Sequence, residues 1–95
     1  MVKVIATFNI KPNSIQEALK IAQKLIFATR LEFGCIEYIL VQSESDETHL
    51  VMLESWESQQ HLDVHSASEH FTKYVPQLAA LCSAPPVVEK FKVAI

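Results

Sequence analysis

The chain has 95 residues, 49% of them hydrophobic, a net charge of -3, one glycine and two cysteines. A chain of this length is one domain (residues 1–95) with a thin core, since it buries only about 60–65% of the surface its unfolded form exposes. The eight Lys and Arg are scattered. That argues against nucleic acid or an anionic membrane surface as partner, and no apolar run approaches the ~20 residues a bilayer needs.

Val2 to Ile10 alternates, with Val2, Val4, Ala6, Phe8 and Ile10 on one face and Lys3, Ile5, Thr7 and Asn9 on the other. That is the period of a strand, and it lacks the continuous apolar centre of a signal peptide. After the turn at Lys11-Pro12-Asn13, Ser14 and Glu17 make a capping-box pattern, with Asn13 and Gln16 as a competing frame. Ile15, Ala18, Leu19, Ala22, Ile26, Thr29 and Phe33 then share one side at helical spacing. This predicts a helix of about twenty residues, some 30 Å, closed by Gly34 as a left-handed cap.

Cys35 to Ser43 reads as a second strand, with Ile36, Tyr38 and Leu40 on one face and Cys35, Glu37, Ile39 and Val41 on the other. Glu44 to Glu47 is a hairpin connection. His49 to Glu57 is a third strand, apolar on both faces at its start and therefore expected to be central and covered on both sides. Leu50, Met52, Glu54 and Trp56 share one of its faces; Val51, Leu53, Ser55 and Glu57 share the other. Ser58 caps a short helix through Val64, and Ser68 caps another through Phe71 and Tyr74. Pro76 is expected to break or restart that helix. Ala84-Pro85-Pro86 ends the apolar run to Cys82, and Val87 to Ile95 is a fourth strand.

The order β-α-β-β-α-β is the ferredoxin-like α+β arrangement, an antiparallel sheet with helices on one face. Its bare face would carry Ile5, Ile39, Val41, Val51 and Leu53, a patch monomers rarely expose. The patterning therefore predicts a homodimer packed sheet to sheet. Cys35 and Cys82 lack metal or redox spacing and read as free thiols of a cytoplasmic protein.

The polar groups fit for chemistry concentrate between Leu50 and Tyr74. At Glu54-Ser55-Trp56-Glu57-Ser58 and His65-Ser66-Ala67-Ser68-Glu69-His70-Phe71 the chain resembles the antibiotic biosynthesis monooxygenase family, within it the small quinol-monooxygenase-like proteins. Gly34, Cys35 and Tyr38 match that pattern in the second strand. The resemblance implies a dimeric α+β barrel with a cleft between sheet and helices. It also implies a reaction of molecular oxygen with a small electron-rich aromatic such as a hydroquinone, without metal, flavin or haem as cofactor. Relatives include haem-degrading enzymes and an isomerase of a phosphorylated dione. The haem-degrading pattern has Asn in the first strand, where Thr7 stands here with Asn9 two residues on. Trp56 leans away from the isomerase, whose corresponding position is similar to Tyr.

Oxygen reacts with an aromatic once it is deprotonated, so the protein must supply a base, donors for the developing oxyanion and a dry pocket. His65 is the candidate base and Glu54 the carboxylate that could poise it; the plainer reading is a pair tying strand to helices. Trp56 is either a flat wall for a substrate ring or a core indole. Tyr38 is either a proton donor or an ordinary strand tyrosine. His70 stands at the positive end of its helix as a neutral donor or acceptor, or as an exposed polar residue. Phe71 is a substrate contact or simply core, and Arg30 an anion-attracting group or an exposed helix end. His61 and His65 stand four apart, a spacing that can chelate a metal on a helix; Glu54 or Glu69 could serve as third ligand, but none is evident and no metal is expected. Isomerisation of a phosphorylated dicarbonyl by the same histidines, and ligand binding without catalysis, remain as alternatives.

Overall fold

A computed structural model describes residues Met1 to Ile95. Four antiparallel strands, β1 (Val2–Asn9), β2 (Cys35–Gln42), β3 (His49–Trp56) and β4 (Val87–Lys92), lie in the order β2-β3-β1-β4. Helices α1 (Ile15–Thr29), α2 (Gln59–Ser66) and α3 (Glu69–Ala80) cover one face. The predicted ferredoxin-like fold is present, with its second helix divided at Ala67-Ser68. Alternation places Val4, Ala6 and Phe8 of β1 beside Leu50, Met52 and Trp56 of β3, and these bury against Ala18, Ala22 and Leu25 of α1 and Leu78 of α3.

The first helix is shorter than its apolar spacing predicts. It stops at Thr29, where the Arg30 amide bonds to the Ile26 carbonyl, and Phe33 is 94% exposed. Its buried stripe is Ile15, Ala18, Ala22, Leu25 and Thr29, so Leu25 takes a place the sequence reading gave to its neighbours. Ser14 makes no side-chain cap; its carbonyl simply accepts from Ala18 N at 2.9 Å.

Gly34 does adopt a left-handed φ of +79°, but as the last residue before β2 rather than as a helix cap. A Cβ there would lie 2.2 Å from His61 Cγ, so the loop passes directly under the His61 ring. Gly34→Ala is expected to lower stability by about 2–3 kcal/mol, from left-handed strain plus displacement of that ring. A thermal melt checks it, with the midpoint falling by about 10–20 °C.

Two further departures have local causes. A β-bulge between Cys35 and Glu37 pairs Cys35 with Trp56 and leaves Ile36 as the extra residue. Cys35 therefore joins the helix side and Ile36 is half exposed, the reverse of strict alternation. Pro76 lies within α3 without ending it. Both Pro76 and Thr72, whose carbonyl loses its usual amide partner, are exposed, so this stretch of helix faces solvent, where the loss costs least.

β3 is central but covered by helices on one face only. On the open face Ile5, Ile39, Val41 and Phe91 are each 38–41% exposed, around half-buried Val51 and Leu53. β4 ends at Lys92 rather than Ile95, and all six of its residues are exposed at the sheet edge.

Candidate active site

Alternation on β3 sends Glu54 and Trp56 inward together, and the indole Nε1–H donates to Glu54 Oε1 at 3.0 Å. Tyr38 stands opposite Glu54 in register and faces the same way. Two serines start the helices that carry the histidines. Ser58 Oγ accepts from His61 N at the start of α2, and Ser68 Oγ accepts from Phe71 N at the start of α3. Ser68 Oγ also donates to the His65 carbonyl at 2.6 Å, tying the end of α2 to the start of α3.

That corner brings His65 and His70 to one carboxylate. Glu32 Oε2 lies 2.6 Å from His65 Nδ1 and 2.8 Å from His70 Nε2. His65 is only 1% exposed and is held among rings: Trp56 at 4.5 Å tilted by 33°, and Phe71 and Tyr38 edge-on at 5.1 and 5.3 Å. Its Nε2 is buried without a hydrogen-bond partner. A carboxylate only accepts, so Nδ1 carries the proton of a neutral ring and Nε2 presents its lone pair. Burial lowers the His65 pKa more than the hydrogen bond and charge of Glu32 raise it, which keeps the ring neutral.

A cavity of about 310 Å³ lies between the inner sheet face and α2–α3. That is near the lower end of the roughly 300–1,000 Å³ usual for small-molecule sites. Val4, Ala6, Phe8, Leu62, Phe71, Val75 and Val88 make its apolar wall; His65, Glu54, Tyr38, Asp63 and Lys90 supply polar groups. A wider hollow of about 760 Å³ between α1 and α3 is shallow and lysine-lined, with Lys20, Lys24 and Lys73 on it. Of the candidate catalytic and substrate-binding residues it contains only His70, so the smaller cavity is the candidate site.

Burial raises the Glu54 carboxyl from 4.5 to about 7, with the Glu32 charge adding to the rise and the Trp56 hydrogen bond opposing it. Burial, then the charge of Glu54, raises the Tyr38 pKa, so the phenol stays a hydrogen-bond donor. Thr29 Oγ1 falls short of hydrogen-bond geometry with it and is buried without a partner. Between pH 4.5 and about 7 folded Glu54 keeps a proton that the unfolded chain has released. Its contribution to stability therefore falls as pH rises through that window. Glu54→Gln, which keeps an acceptor for Trp56, is expected to stabilise the chain by about 1–3 kcal/mol above neutrality. Denaturant titrations at several pH values should show that gain vanishing below pH 4.5.

His65, Glu54, Tyr38 and Phe71 thus share the cavity. Trp56 is fully buried and forms a wall for His65 rather than for a ligand. His70 reaches His65 through Glu32. Arg30 lies outside the cavity, its Nε donating to the Tyr38 carbonyl at 3.0 Å. Glu54 is not the carboxylate on His65. The loop between α1 and β2 brings Glu32 there instead, while Glu54 turns to the indole. The His61–His65 pair is not assembled either, since His61 Nδ1 contacts Ser58 Oγ at 2.8 Å. Asn9 pairs with His49 at 2.8 Å, and Thr7 lies on the open face.

Glu32 and Lys90 were missed by sequence reasoning. Glu32 had a signal: a carboxylate just past a helix C-terminus opposes the dipole and so needs another reason to be there. Lys90 had none, as a lysine on an edge strand is ordinary.

The profile of the antibiotic biosynthesis monooxygenase family matches residues 1–77. The Bacillus subtilis (strain 168) protein named "Putative monooxygenase YcnE" is 33% identical over 85 residues, 90% of each chain. The uncharacterized protein sll1783 of Synechocystis is 26% identical over 96% of this chain, which spans 62% of that relative's length. A crystal structure described as an antibiotic biosynthesis monooxygenase superposes with a TM-score of 0.95 at 36% identity, covering all of both chains.

Proposed function

The chain belongs to the antibiotic biosynthesis monooxygenase family, and from that we propose that it is a cofactor-independent monooxygenase of a small electron-rich aromatic, with a hydroquinone as the simplest case. The observation that carries this reading is His65: a neutral, buried imidazole that lines a largely apolar cavity, with Nδ1 on Glu32 and Nε2 without a partner. Nε2 takes a proton from the substrate hydroxyl, and Glu32 stabilises the imidazolium that forms. The aromatic anion passes one electron to oxygen, and the two radicals recombine to a ring hydroperoxide. Loss of water gives a hydroxyquinone, so the hydroquinone and oxygen balance the product and water with no added reductant. Tyr38, and Glu54 when protonated, are the donors available to the developing oxyanion. The apolar wall excludes water that would otherwise compete for the anion.

An oxygen electrode tests this. Oxygen uptake with a panel of hydroquinones, above the spontaneous rate and lost in His65→Ala, is the expected result; no uptake with any member overturns it. Lys90 on the cavity wall favours a second reading, an acid–base isomerisation of a phosphorylated dicarbonyl with His65 and Glu54 as the pair. That reaction would run unchanged under nitrogen.

Homodimerisation through the open sheet face belongs to the same proposal. Its support is the apolar row of Ile5, Ile39, Val41 and Phe91 around Val51 and Leu53. Light scattering at micromolar concentration is expected to give twice the 10.7 kDa chain mass, and Ile39→Glu with Val51→Glu to give the single chain. A wild-type monomer refutes the interface. One domain over residues 1–95 and a reducing cytoplasm, consistent with the free thiols Cys35 and Cys82, complete the reading.

A further inference from the structure

We propose that Glu32, His65 and His70 form a binding site for a divalent transition-metal ion of the zinc type. His65 Nδ1, His70 Nε2 and a Glu32 carboxylate oxygen converge within 4.8 Å of one another. They come from three different segments, the end of α2, the start of α3 and the loop after α1. Two imidazoles and one carboxylate suit Zn²⁺ and its neighbours Co²⁺, Ni²⁺ and Cu²⁺, and are wrong for Mg²⁺ or Ca²⁺, which prefer oxygen ligands.

The present spacing is that of two hydrogen bonds, 2.6 and 2.8 Å. Tetrahedral zinc with bonds of 2.0–2.2 Å holds its ligand atoms about 3.3 Å apart. The carboxylate must therefore draw back by about 0.7 Å from His65 and about 0.5 Å from His70. Glu32 is the ligand able to do so, because it sits in a loop, whereas both histidines are fixed by helices that Ser68 ties together. The Glu32 side chain is 12% exposed and that of His70 20%, so the cluster meets solvent on that side, from which water can supply a fourth ligand.

Metal binding would have a chemical consequence inside the cavity. With the ion on Nδ1, the proton of the neutral His65 ring moves to Nε2. Nε2 changes from acceptor to donor, and the ring can no longer take a proton there. The resulting inhibition rests on His65 being the base of the proposed reaction; the binding does not.

The test therefore reads binding. Chelator-stripped protein is titrated calorimetrically with zinc chloride, and with magnesium chloride as control. One zinc per chain and no magnesium is expected, with affinity about tenfold or more weaker in Glu32→Gln and in His70→Ala, and unchanged in His49→Ala. Circular dichroism confirms that the variants fold. Nitrogen-15 spectra of the wild-type imidazoles give a second readout, in which saturating zinc shifts His65 Nδ1 and His70 Nε2 and protonates His65 Nε2. Absence of zinc binding, affinity unchanged in both cluster variants, loss of binding in His49→Ala, or unmoved His65 and His70 signals would each overturn the proposal.

Discussion

His65→Ala is expected to lower kcat/KM for an oxidisable hydroquinone by about 100- to 10,000-fold, the usual worth of a positioned general base. Glu32→Gln should cost about 10- to 100-fold, as the partner that orients a histidine commonly does. The reason lies in one oxygen. Glu32 Oε2 fixes the Nδ1–H tautomer of a ring whose other nitrogen has no partner. A glutamine in its place can present either an acceptor or a donor to Nδ1, and the donor form places the proton on Nε2, where a base is needed. The pH profile separates orientation from mere support. Glu32 raises the His65 pKa by hydrogen bond and by charge, so its removal should move the acid limb of kcat/KM to lower pH. A structural contact would reduce the amplitude and leave the limb where it was. Glu32→Asp, with the charge retained, should restore part of the rate.

Trp56→Ala carries the largest expected stability loss, about 3–5 kcal/mol, against a total of about 5–15 kcal/mol for a small domain. The indole is fully buried, stacks on His65 at 4.5 Å and satisfies Glu54 at 3.0 Å. Truncation leaves a void beside two titratable groups and a carboxylate without its donor. The melting midpoint should fall by about 15–30 °C. Trp56→Phe separates the contributions: it keeps most of the ring contact with His65 but removes the Nε1–H, so Glu54 should become harder still to ionise. A loss below about 1.5 kcal/mol in Trp56→Ala would mean that the neighbours collapse into the space.

Alternation was enough to orient β1 and β3, because a period of two with one buried face leaves little choice of register. The same rule failed at Cys35 and Ile36, where a bulge adds a residue that no local pattern announces. The helical stripe of α1 was legible up to Thr29 except at Leu25; beyond it Phe33 fits the spacing, but the chain has already turned toward β2. Pro76 misled because its cost depends on whether the orphaned carbonyl meets water, which only the packing decides. The site was half legible. His65, Glu54, Tyr38 and Phe71 could be placed from strand and helix phase. Glu32 could not, since a loop residue has no period, and the two histidines it joins lie 33 and 38 positions away.

The contact between Gly34 and His61 makes these two positions a mutational unit. The loop that carries Glu32 can run only as deep as the His61 ring allows, and the Gly34 carbonyl anchors it by accepting Glu57 N at 2.9 Å. Their energies should therefore be non-additive. A smaller residue at 61 relieves the clash in Gly34→Ala and acts as its suppressor, while the left-handed strain at 34 persists. Drift at either position is thus constrained by the other, and a change at 61, which lines no part of the cavity, can still reach His65 by altering how far Glu32 extends.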